Sequence, residues 1–187
     1  MKSNNIAVMV YPSKHRQIVE ELMNGKFILG NEEHFNILKE NDKFYSEFFK
    51  LSFDLDLNIK ADYAFLLSKE TQENFSRDVS IFIAVLSYEL DKDGRNFLEA
   101  LDFNEFTFEE IDNYFINSSF IDLIESNKAL KDQDSRRTLI NGMARRNIVQ
   151  KNFEDRFSFT QAYKVFVDFA KELALKRMAS EVAGNVN

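Results

Sequence analysis

Apolar residues recur at helical spacing early in the chain. Between Lys14 and Asn24, Ile18, Val19 and Leu22 fall on one side, which predicts a helix. Gly25 should end it, because a glycine just past a helix readily takes the left-handed backbone needed there. Phe27-Ile28-Leu29 is a strand-like run closed by Gly30-Asn31, with Asn31 placed to cap a second helix over Glu32 to Glu40. A third helix starts at Asn41-Asp42 and carries Phe44, Tyr45, Phe48 and Phe49. The period then changes from 3.6 to 2. Leu55 to Ile59 alternates apolar and polar, Lys60-Ala61-Asp62 turns, and Tyr63 to Leu67 returns as a hairpin.

The second half repeats this order. Val79 to Leu90 reads as a helix ending near Asp91-Lys92-Asp93-Gly94, and Glu105-Phe106-Thr107 as a short strand. Thr107 and Glu110 have capping-box spacing, in which each side chain serves the other's backbone N–H. A helix through Ile111, Tyr114 and Phe115 follows, then a short piece from Phe120 to Glu125 and a longer helix from Ser135 to Asn147. Ile148 to Phe159 reads as a hairpin with its tip near Asn152 to Asp155. A last helix, Thr160 to about Lys176, aligns Ala162, Val165, Phe166, Phe169, Ala170 and Leu173, and the tail from Met178 is expected to fray. The pattern predicts a mainly α protein with small β-hairpins (α+β), built as two tandem winged-helix domains over residues 1–73 and 74–187.

Composition removes several functions. Without cysteine there can be no disulfide and no thiolate metal site. The two histidines, His15 and His34, lack a neighbouring set of ligands, and neither a Gly-rich phosphate loop nor a Gly-x-Ser-x-Gly elbow is present. The acidic pairs Glu20-Glu21, Glu32-Glu33 and Glu109-Glu110 read as solvated helix faces and first-turn dipole partners. No enzyme, cofactor or metal is expected. No apolar run approaches the roughly 18 residues of a membrane span, so a soluble, cytoplasmic protein is expected.

Charge adds one positive feature. The formal net charge is −7, yet residues 127–151 hold seven bases against two acids, a net +5 that leaves −12 for the remainder. Within this island, Leu139, Ile140 and Met143 share one helix side, while Arg137, Asn141 and Arg145 form a stripe on the other. Guanidinium and amide groups contact phosphates and base edges, so Arg137, Asn141, Arg145 and Arg146 are candidate DNA-binding residues, with Lys151 on the hairpin as a wing contact. Gly142 costs about 1 kcal/mol against Ala in mid-helix, which suits close approach by a partner's backbone. The other reading is a solvated basic face balanced by the acidic body, and that body opposes tight DNA binding.

Several segments together resemble the MukE/MksE family, the kleisin-interacting tandem winged-helix subunits of bacterial condensin-like SMC complexes. They are Glu21-Leu22-Met23-Asn24-Gly25-Lys26-Phe27-Ile28, the aromatic helix Phe44 to Phe49, Tyr63 to Leu67, Phe106 to Ile111, Leu139 to Val149 and Arg156 to Thr160. The similarity runs from about Tyr11 to Leu173 and is closer to the shorter MksE type, since no long acidic C-terminal extension follows. It implies a homodimer that binds a MukF/MksF-like kleisin and, through it, the SMC ATPase. It also implies a nucleoid-associated role in chromosome organisation or segregation, or in plasmid defence, without catalysis. Weak, non-specific DNA contact through Arg137, Asn141, Arg145, Arg146 and Lys151 is part of the same picture. The alternative is a winged-helix transcriptional regulator, which would bind one operator tightly and selectively.

Overall fold

The computed structural model describes residues 11–68 and 74–169. The chain divides into two compact units, Met1–Lys69 and Glu70–Asn187. Both are mainly helical, and each carries one small antiparallel sheet.

The first unit runs α1 (His15–Met23), β1 (Ile28–Leu29), α2 (Glu33–Glu40), α3 (Asp42–Phe53), β2 (Leu55–Ile59) and β3 (Tyr63–Ser68). Gly25 has φ 72°, the left-handed turn expected after α1. Asn31 is not the cap of α2. Glu32 stands at the N-cap, and its carboxylate turns back to accept from the N–H of Leu29, tying the helix start to β1. The core gathers Ile18 and Leu22 of α1, Ile28 of β1, Phe35 and Leu38 of α2, Tyr45 and Phe49 of α3, and Ala64 of β3.

The second unit runs α4 (Asn74–Lys92), α5 (Phe97–Phe103), β4 (Glu105–Thr107), α6 (Phe108–Ile116), α7 (Ile121–Ser126), α8 (Gln133–Arg145), β5 (Val149–Phe153) and β6 (Arg156–Phe159). Two elements differ from the sequence reading. Helix α4 starts at Asn74, five residues before Val79. Helix α5 was not anticipated, though its signal is present: Asn96 caps it by accepting from the N–H groups of Leu98 and Glu99. Of the Thr107/Glu110 capping box, the forward half forms, with Thr107 Oγ1 accepting from Glu110 N at 3.0 Å. The Glu110 carboxylate instead takes Arg95 at 2.8 Å. After β6 comes a 3₁₀ turn, Gln161–Tyr163, and helical residues 164–169 that bury Ala162 and Phe166. The remainder of the expected last helix and the tail lie outside the described residues.

The two sheets have the same order. In each, the second hairpin strand is central, flanked by the short early strand and the first hairpin strand: β1-β3-β2 and β4-β6-β5. The helix before each hairpin also ends alike, through a non-glycine residue with positive φ, Asp54 at 51° and Asn147 at 60°. Asp and Asn are among the residues that tolerate this region best.

Candidate nucleic-acid interface

Helix α8 begins where the Asp132 side chain accepts from Ser135 N at 2.8 Å. Hydrogen bonds from Ser135 hold this carboxyl below its ordinary range. The inward side is apolar as the periodicity requires, with Leu139, Ile140 and Met143 buried. It also carries a charge. Arg136 is 3% exposed, and its Nη2 and Nε donate to Asp112 Oδ1 of α6 at 2.6 and 2.7 Å. Its Nη1 donates to the Leu130 carbonyl at 2.8 Å, and the guanidinium lies 5.7 Å from the Phe115 ring. Arg136 therefore does not belong to the exposed basic island that the sequence count included. Its spacing from Leu139, Ile140 and Met143 already placed it on the buried side.

Arg137, Thr138, Asn141 and Arg145 are exposed, as the stripe predicted. The structure brings two of the five candidate residues, Arg137 and Lys151, together on one ring, and links a third, Asn141, to Lys151. The Arg137 guanidinium lies 5.1 Å from the centre of Phe108, and Lys151 Nζ approaches the same ring at 5.6 Å. Lys151 Nζ also donates to Asn141 Oδ1 at 2.8 Å, linking β5 to α8. Phe108, the first residue of α6, carries no local sequence signal of a site. Only the folded chain brings it beside residues about thirty and forty positions later.

Arg145 lies on the other side of the stripe, lining a shallow groove with Phe75, Asp78, Lys128, Ser135, Thr138 and Gly142. Arg146 is half-buried and stacks on Phe75 at 4.0 Å, so it stands apart from the Phe108 group. The same Phe75 explains Gly142, and corrects the expectation of a partner's backbone there. A Cβ on Gly142 would sit 2.8 Å from Phe75 Cε2, so the helix has glycine because α4 packs its own ring against it.

The arrangement presents guanidinium, amide and ammonium groups side by side, with two of the cations set against an uncharged ring. Such a face suits phosphate oxygens, which point charges can meet without reading sequence. Among the described residues no group of His, Cys, Asp and Glu could hold a metal ion, and no helix is long and apolar enough to cross a membrane. His15 sits among the rings of Tyr11, Phe44, Tyr45 and Phe48, while His34 bonds Glu21 at 2.7 Å.

No curated protein matches the chain. The family described as condensin complex protein MksE matches residues 13–171, taking in every described element from α1 through β6, and the chain belongs to that family.

Proposed function

We propose that the protein is a non-catalytic accessory subunit of a bacterial condensin-like SMC complex, built from two tandem winged-helix domains. In this reading it is a homodimer that binds the MukF/MksF-like kleisin and reaches the SMC ATPase through it. The α8 stripe, Arg137, Asn141 and Arg145, with Arg146 and Lys151 beside it, adds weak, sequence-independent DNA contact. Its place is the cytoplasm, on the nucleoid, in chromosome organisation or plasmid defence. Membership of the MksE family carries the reading. The paired sheet order and the helix-then-hairpin sequence in both units support the winged-helix assignment. The Arg137–Phe108–Lys151 grouping supports DNA contact.

The test is co-purification of the full chain with its kleisin, together with DNA titration at several salt concentrations. Wild type should retain the kleisin and bind unrelated duplexes alike, with affinity falling steeply as salt rises. An R137E/R145E pair should lower DNA affinity by about tenfold or more, given the charge reversed at the phosphate-facing stripe, and leave kleisin retention intact. Loss of both together would place α8 in the kleisin interface. Tight binding to one operator alone would favour the transcriptional regulator.

A further inference from the structure

Exposed apolar residues scattered singly over a surface need no explanation. The second unit has several at one place. Tyr88 near the end of α4 meets Phe120 edge to face at 4.8 Å. Phe120 leads into α7, where Ile121 and Leu123 follow, and Ile116 closes α6 just before. Ile116 is 61% exposed, Tyr88 45%, Leu123 43% and Phe120 40%.

This ridge is held in shape from below. Glu89, itself buried, accepts from Ser118 Oγ at 2.7 Å and from Ser119 N at 3.2 Å, so the α6–α7 link is clamped to α4. Ser118 Oγ in turn accepts from Phe120 N at 3.1 Å. A preformed surface loses less freedom on binding than a mobile one, which favours association.

Charge decides what would cover it. Of the eight acids from Asn96 to Asn127, Asp102, Glu105, Glu110 and Asp112 are ion-paired within the unit. Asp122 and Glu125 on α7 have no ion pair among the described residues, and Lys128 is the first base to follow. Asp91, Asp122 and Glu125 are exposed on the two helices that carry the ridge. The nearest preceding bases are engaged with acids of the unit, Lys92 with Glu89 and Arg95 with Glu110. An acidic partner would meet repulsion here, and a purely apolar one would gain nothing from the surrounding carboxylates.

We infer that the Tyr88–Phe120–Leu123 ridge docks a basic amphipathic helical segment of another protein subunit, its apolar side on the rings and its Lys or Arg residues against Asp91, Asp122 and Glu125. The inference rests on the reading of the chain as an accessory subunit of a multiprotein complex, and adds the surface and the chemistry of the segment it takes.

The experiment presents the full chain with overlapping peptides covering the kleisin and SMC subunits of its complex. Fluorescence polarisation measures peptide binding, and full-length kleisin is tested for retention in parallel. Bound peptides should be net positive with apolar residues at helical spacing. F120A/L123A and D122K/E125K should each weaken them by about tenfold or more, as loss of central anchors or of complementary charge would, while R137E/R145E leaves them unchanged. The charge-reversal pair alters exposed residues only, so it reports even where F120A/L123A disturbs folding. Kleisin retention without any bound peptide, acidic bound peptides, or wild-type binding by both ridge variants would overturn the inference and leave the functional reading standing. Basic peptides from the SMC subunit alone, with no kleisin retained, would support the ridge and overturn the kleisin reading. Conversion of a dimer to a monomer by F120A/L123A, read by sedimentation, would assign the ridge to a second copy and overturn the inference.

Discussion

Helices α3 and α8 occupy the same place in their units, directly before the hairpin, yet they are filled with different chemistry. On α3, Tyr45 and Phe49 are fully buried, and Phe44 and Phe48 close around His15. Burial pushes the Tyr45 phenol up to about 12. On α8 the buried side includes an ion pair, and the outward side carries the cations. One position in a shared topology thus serves packing in the first unit and surface charge in the second. The fold supplies the place, and the side chains on the helix decide its use.

The sharpest way to break this contrast is at the ion pair. Asp112→Ala would leave Arg136 charged, buried and without its carboxylate. Removing one partner of a buried pair costs about 3–5 kcal/mol, and urea unfolding of the full chain should show a loss of this size from the second unit. A D112L/R136M double variant should recover most of it, because a well-packed apolar pair can replace a buried ionic one.

The next effect is smaller and concerns Gly142. Gly142→Ala gains about 1 kcal/mol of helix propensity, but overpacking against the Phe75 ring costs about 1–3 kcal/mol. The single variant should therefore be less stable than wild type. In a Phe75→Ala background the same change should stabilise. A thermal-melt double-mutant cycle reads the change of sign, and equal effects in both backgrounds would show that the ring is not the reason for the glycine.

The smallest effect lies in the first unit. Burial among four rings lowers the pKa of His15 from its ordinary 6.5, and its Nδ1 is buried without a hydrogen-bond partner among the described residues. A folded value below the unfolded one means that the unfolded chain binds more protons. This contribution is present above pH 6.5 and is lost as pH falls through the folded value. His15→Phe should flatten that part of the stability–pH curve, measured by circular dichroism melts from pH 7.5 down to about pH 5. An unchanged slope would remove His15 as its source.

Much of this architecture is legible from local pattern. The period of three to four residues located α1, α2, α3, α6 and α8, and the change to period two located the first hairpin. What the pattern did not show depends on distant partners. Glu32 rather than Asn31 begins α2 because β1 has a free N–H nearby that its carboxylate satisfies. Glu110 leaves the capping box because Arg95 offers a charged donor. Gly142 answers to Phe75, and Arg137 and Lys151 share a ring that α6 supplies. Two further signals do lie in the local sequence: Asn96 with Glu99 announces α5, and the spacing of Arg136 marks it as buried.

The Phe108 ring has a consequence for how its two cations behave. A carboxylate at that position would hold Arg137 and Lys151 firmly, but any incoming anion would first have to displace it. The aromatic face attracts both through its quadrupole, at roughly 0.5–1 kcal/mol each at an exposed site, and cancels neither charge. The side chains are partly ordered in advance, and their positive charge stays available. If DNA binds here as proposed, the arriving polyanion would exchange its own condensed counterions for cations already in place, and the gain would be the entropy of the small ions it sheds.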